Sequence, residues 1–109
     1  MAKLKLTPDV LALIAERFKV LSEPARLQIL STLRNGEMTV GELVDATGLS
    51  QANVSKHLQQ LHRVAFVGRR KDGLHVYYAL ADEDVFQLCD VMCGRLAAEA
   101  KARQRLLAR

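Results

Sequence analysis

Cys89 and Cys93 stand four residues apart in Cys89-Asp90-Val91-Met92-Cys93 and are the chain's two cysteines. On a helix that spacing puts both sulfurs on one side, with Cβ atoms about 5–6 Å apart. Three chemistries are open to such a pair. Doubled across a dimer axis, the thiols would give three or four soft ligands for arsenite or a thiophilic metal ion. Oxidation would give disulfide or polysulfide links, more easily between subunits than within one helix, because the Cβ vectors splay. The third reading is that both are small apolar filler at an interface. A thiol oxidoreductase fits poorly, since the spacing is not Cys-x-x-Cys and no βαβ unit or general base surrounds it. The chain also lacks a P-loop, a dinucleotide fingerprint, a His-Glu-x-x-His and a nucleophile elbow, so no enzyme is expected.

The second group with chemical potential is cationic. The 109 residues carry sixteen basic and twelve acidic side chains, a net charge of +4. Residues 1–49 balance six against six, and residues 81–109 balance five against five. Residues 50–80 hold Lys56, Arg63, Arg69, Arg70 and Lys71 against Asp72 alone, together with His57, His62 and His75. A basic zone inside an otherwise balanced chain is the footprint of a polyanion binder.

Those residues need elements to position them. Half of the chain is hydrophobic and 26% charged, enough apolar matter for one compact domain and too few residues for two. No apolar run reaches the ~18 residues needed to span a bilayer, and Met1 to Pro8 lacks a signal-peptide pattern, so a cytoplasmic protein is expected. Val10, Leu13, Ile14 and Leu21, with Phe18 between, have the period of an amphipathic helix. Ser22-Glu23-Pro24 reads as the start of a second, with Ser22 as cap and Pro24 in the first turn. Leu27, Ile29, Leu30 and Leu33 carry that helix to Asn35-Gly36. Thr39-Val40-Gly41-Glu42 matches a capping box for a short third helix, which Gly48 ends. Ser50 caps a fourth, from Gln51 to about Arg63. Phe66 to Lys71 and Leu74 to Leu80 then flank Asp72-Gly73, a two-residue hairpin signal. Asp82, Glu83 and Asp84 suit the positive end of a last helix, with Val85, Leu88, Cys89, Met92 and Leu96 at helical spacing.

The expected architecture is mostly α with a small β-hairpin: four helices, the hairpin and a C-terminal helix. Two short helices joined by a Gly turn, the second opening on a Ser cap, form a helix-turn-helix, and a basic hairpin behind it makes a winged helix. On the fourth helix Val54, Leu58 and Leu61 share one face and should pack inward. Ala52, Lys56, Gln59 and Arg63 face the other way, with Asn53, Ser55 and Gln60 beside them. Such groups suit a major groove: Lys reaches guanine or phosphate, Asn and Gln pair with adenine, and Ala touches a thymine methyl. Free N–H groups near Ser50 and Gln51 can hold a phosphate. Arg69, Arg70, Lys71 and His75 would bring cations to phosphates or the minor groove. His57 lies about 60° from Val54 on the wheel, so an internal hydrogen bond and a phosphate contact are both open to it. The competing use of such a fold, protein contacts alone, sits badly with a basic recognition face.

Leu21 to Leu30 (LSEPARLQIL), Gly41-Glu42-Leu43, Leu49 to Leu58 (LSQANVSKHL) and Gly73 to Tyr78 resemble, in order, the ArsR/SmtB family of bacterial repressors. The resemblance covers roughly residues 10–80. It implies a homodimeric winged helix that sits on a double-stranded DNA operator and leaves it when an inducer binds or oxidises the protein. It also implies that segments 1–21 and 82–105 build the dimer, 39–63 the helix-turn-helix and 66–80 the wing, within a single domain 1–109. Ala65 departs from the glycine usual after the recognition helix, and an alanine there calls for a less left-handed exit. The family's usual metal sites do not carry over. Gly41 to Asp45 contains no cysteine pair, and although Asp82 and Asp84 are present, Arg95 and Ala98 stand where further ligands are expected. Cys89 and Cys93 remain as the candidate sensor, on a seam with Phe86, Leu96 and Ala100 expected to face the partner.

Overall fold

The computed structural model describes residues 4–108. Met1–Lys3 and Arg109, which the sequence places in the first dimerisation segment and the basic tail, lie outside the described residues. The order is α1 (Pro8–Leu21), α2 (Pro24–Leu33), α3 (Val40–Thr47), α4 (Gln51–Arg63), β1 (Val67–Asp72), β2 (His75–Leu80) and α5 (Asp84–Leu107). This is the expected winged helix-turn-helix.

Local chemistry explains most boundaries. The Thr7 hydroxyl accepts from the Val10 N–H and Pro8 opens α1, where a missing N–H costs nothing. Thr39 and Glu42 form the expected capping box on α3, and the Ser50 hydroxyl accepts from the Asn53 N–H at 3.1 Å to start α4. Gly48, at φ +74°, makes the left-handed turn between α3 and α4. Gln28 on α2 donates its amide to the Thr47 carbonyl at 3.2 Å, pinning that turn to the helix beneath it.

Three expectations are corrected. Ser22 does not cap α2. It closes α1, donating its hydroxyl to the Lys19 carbonyl at 2.6 Å, while Glu23 is the N-cap of α2. The hairpin turn is displaced by one residue: Asp72 pairs with His75, leaving Gly73 (φ +61°) and Leu74 as the loop. Leu74, 99% exposed, is therefore the tip rather than a strand residue. Finally, Ala65 does not avoid the left-handed region but occupies it at φ +62°. The Phe66 N–H donates to the Leu61 carbonyl and the Ala65 N–H to that of His62, each at 3.0 Å. That pair of bonds is a Schellman motif with alanine in the glycine position. The two bonds satisfy the helix-end carbonyls and turn the chain into β1, which outweighs the crowding of one methyl.

The core joins α2 (Ile29, Leu30, Leu33), α3 (Leu43), α4 (Val54, Leu58, Leu61), β1 (Val67) and the start of α5 (Val85, Phe86). Met38, between α2 and α3, exchanges two backbone hydrogen bonds with Tyr78 on β2, at 2.8 and 2.9 Å. A single-residue bridge has no periodicity, so the sequence carries no sign of it, yet it ties the wing to the helical body. α1 buries no residue, and α5 buries none beyond Phe86. Leu11, Leu13, Ile14 and Phe18 on α1 and Leu88, Val91, Met92 and Leu96 on α5 are exposed. The radius of gyration is 17.2 Å, against about 13 Å for a compact chain of this length.

Ala65→Gly should relieve the strained exit from α4. After the extra unfolded-state freedom of glycine is subtracted, a gain of about 0.5–1 kcal/mol is expected. Thermal unfolding should show this as a rise in Tm of about 2–8 °C.

Candidate nucleic-acid interface

Val54, Leu58 and Leu61 are fully buried, which fixes the rotation of α4 about its own axis. Gln51, Ala52, Asn53, Lys56, Gln59 and Arg63 are consequently exposed, as the wheel requires, and Ser55 is half-buried at the edge. Ser50 is exposed too, but its hydroxyl is engaged in the cap.

His57 and Gln60 have another environment. Both are half-buried and meet the guanidinium of Arg26 on α2. Arg26 Nη1 donates to Gln60 Oε1 and lies 3.3 Å from His57 Nδ1. For His57 the internal hydrogen bond is therefore the arrangement found. Gln60, expected beside the groove-facing side chains, is instead held by α2, because a half-buried guanidinium offers its amide oxygen a charge-assisted bond. Burial, then the Arg26 charge and more weakly Lys56, hold the His57 pKa below the ordinary histidine value, against the raising pull of Glu23.

The wing divides its cations between two faces. In a strand alternate side chains point opposite ways, so Arg69 and Lys71 share one face with Tyr78 and Val76, their cross-strand partners. Both cations are exposed. Arg70 turns to the other face, where its Nε donates to Glu37 Oε2 at 2.9 Å and its Nη2 to Glu37 Oε1. Its guanidinium also lies 4.5 Å from the centre of the Tyr77 ring and 3.6 Å from Asp72. The hydrogen bonds from Arg70 hold the Glu37 carboxyl below its usual range, and the same pair raises the pKa of Arg70. Arg70 is thus tethered to the loop before α3, and Arg69 and Lys71 are the wing cations left outward. His75 is exposed at the start of β2. Sequence reasoning missed Arg26, Glu37 and Tyr77 as supports of these elements. Arg26 lies within LSEPARLQIL, where its spacing implies no role, and the other two touch Arg70 only after the chain has folded.

Cys89 is half-buried against the core and Cys93 exposed, both as free thiols. Phe86 corrects the expected seam: it is 7% exposed inside its own protomer, with the Arg34 guanidinium 4.1 Å from its ring centre. With Val85 it anchors the start of α5 to the body, and beyond them the helix buries no residue. Among the described residues no three histidine, cysteine or acidic side chains converge within one chain. A thiophilic ion at the two sulfurs would need further donors from a second copy or from solvent.

Residues 23–67 match the model of the bacterial regulatory protein arsR family. A transcriptional regulator of Mycobacterium tuberculosis, Rv0081, is 40% identical over 94 residues, which cover 85% of this chain and 82% of that one. The chain belongs to the ArsR family. It is a winged helix-turn-helix DNA-binding transcription regulator. The crystal structure of Rv0081 superposes with a TM-score of 0.77 at 36% identity, over 89% of this chain and 98% of that chain. KmtR of M. tuberculosis is 37% identical over 76% of this chain, which spans 64% of KmtR's length. A probable mercury resistance operon repressor of Streptomyces lividans is 38% identical over 81% of this chain and 69% of its own. The homodimeric winged helix-turn-helix DNA-binding domain Mb0332 of M. bovis superposes with a TM-score of 0.72 at 33% identity, over 91% of each chain. No helix among the described residues is long and apolar enough to cross a membrane.

A histidine whose folded pKa lies below its unfolded value binds a proton less tightly when folded. The stability it contributes is whole above about pH 6.5, the unfolded value, and is lost as pH falls from there toward the folded value. Tm measured from pH 8 to pH 5 should therefore fall less steeply in His57→Gln than in the parent. Parallel curves would show that His57 has no such effect.

Proposed function

We propose that two copies pair through α1 and α5 and lay their α4 helices in successive major grooves of a palindromic operator, repressing transcription. The observation that carries this reading is the outward polar face of α4, held there by three fully buried aliphatic side chains on its other side. Ala52, Asn53, Ser55, Lys56, Gln59 and Arg63 read base edges and phosphates, and the N–H groups near Ser50 and Gln51 receive a phosphate. Arg69, Lys71 and His75 reach the flanking backbone, with Arg70 steadying the wing through Glu37. Pairing is supported by the uncovered apolar side chains of α1 and α5, by the large radius of gyration, and by the homodimeric relative.

The sensor in this proposal is the Cys89/Cys93 pair on α5. A relative named for mercury resistance supports a soft ligand, arsenite or a thiophilic metal, and the exposed Cys93 equally supports oxidation. Ligation or oxidation across the two copies would shift α5 and with it the separation of the α4 helices. Half-sites about 34 Å apart tolerate little change of that separation. One observation favours a second reading, a DNA-binding regulator without thiol sensing: Cys89 packs against its own core as a small apolar side chain would.

In anisotropy titrations on a selected duplex, Lys56→Ala should weaken binding by about 1–3 kcal/mol if it reads a base. Arg69→Ala should reduce the slope of log affinity against log salt by about one. No affinity for any duplex at low salt would remove the operator reading. Cys89→Ser/Cys93→Ser should stay on the duplex in arsenite, Zn²⁺, Cd²⁺ or peroxide while the parent is released. Release of the variant under the same treatment would leave the second reading.

A further inference from the structure

The link between α1 and α4 is built around one side chain. A cleft of about 280 Å³ lies at the α1–α4 junction, lined by Glu16, Lys19, Val20, Arg26, Gln60 and Arg63, among others. Across it reaches Arg26, from the first turn of α2. Its Nε donates to the Val20 carbonyl at 2.5 Å and its Nη2 to the Lys19 carbonyl at 3.5 Å, both in the last turn of α1. A cation there also complements the negative end of the α1 dipole. Its Nη1 donates to Gln60 Oε1 and meets His57 Nδ1, two residues one turn apart on α4. One planar group thus ties two helices, α1 and α4, to its own α2.

We infer that Arg26 is a positioning residue for operator recognition, a strut through which the dimer-forming helix α1 sets the angle at which α4 is presented to DNA. The inference rests on the proposed pairing and operator binding and deepens it. Two recognition helices can enter successive grooves only if each is held at a fixed angle to the dimer axis. The uncovered apolar residues of α1 lie on the partner side of that linkage, and Lys56 and Gln59 lie on its DNA side. The guanidinium is suited to this because its donors are fixed in a plane and it stays charged. A lysine keeps the charge but offers a single point of contact on a flexible stem. His57 and Gln60 then serve the interface without touching DNA, as the acceptors that the strut holds.

The test uses a duplex selected by the parent protein from a random-sequence pool and a scrambled duplex of the same length. Arg26→Lys should lower affinity for the selected duplex about tenfold, what one hydrogen bond to a charged group amounts to. Affinity for the scrambled duplex, the salt slope and the dimer dissociation constant should not change. Gln60→Ala, on the surface of α4, should give the same pattern, and the double variant should lose less than the sum. Equal loss on both duplexes, a salt slope smaller by about one in the charge-removing Arg26→Gln, or full retention of the preference would each overturn the strut. The first would mean a general folding defect and the second a direct phosphate contact. A parent with no preference among duplexes would fail earlier, overturning the operator reading and this inference with it.

Discussion

The rotation of α4 about its own axis is the constraint on which the rest depends. Val54, Leu58 and Leu61 are withdrawn completely from water against α2, α3 and β1, and each such burial contributes about 1.5–3 kcal/mol. Turning the helix by one residue would expose part of that set and drive a polar side chain into the core. The face carrying Ala52, Lys56, Gln59 and Arg63 is outward as a consequence of what is inward. Its ends are held as firmly: Ser50 fixes where the helix begins, and the Schellman bonds around Ala65 fix how it turns into the wing.

The basic zone resolves into cations with different duties. Lys56, Arg63, Arg69 and Lys71 are exposed, with side chains free to meet a polyanion. Arg70 is engaged by Glu37 and Tyr77, and Arg26, outside the zone, is engaged by α1 and α4. In the proposed complex, both engaged arginines sit where an element that faces DNA meets one that does not. A guanidinium can satisfy several acceptors in a plane while staying charged, which suits it to such joints. The wing is held twice over, by the Met38–Tyr78 bridge on its backbone and by Glu37–Arg70 on its side chains.

The apolar surfaces of α1 and α5 stand apart from this economy. Beyond Phe86, α5 runs some twenty residues without burying a side chain, and α1 buries none. A chain that leaves Leu13, Phe18, Leu88 and Met92 in water has part of its core elsewhere. In the proposed dimer a second copy supplies it, and Cys89 and Cys93 fall at the edge of that shared surface, one packed and one open.

Much of this was legible from residue order. Helical and strand periods, the capping box, the Ser50 cap and the clustering of cations in residues 50–80 are local or compositional signals. Local signals survive into the fold because the forces behind them act within a few residues. Boundaries set by competition did not read correctly: Ser22 can close one helix or open the next, and nothing nearby decides between them. The hairpin slipped by one residue for the same reason, since Asp72 suits a turn and a strand end alike. By itself the sequence determined the elements, their order and the inward face of α4. Tertiary structure alone decided which cations are free and which are engaged within the fold, that Ala65 takes a left-handed conformation, and that His57 and Gln60 look to Arg26. Each of these turns on a partner more than thirty positions away, or on a bond energy that outweighs a local preference, and spacing along the chain encodes neither.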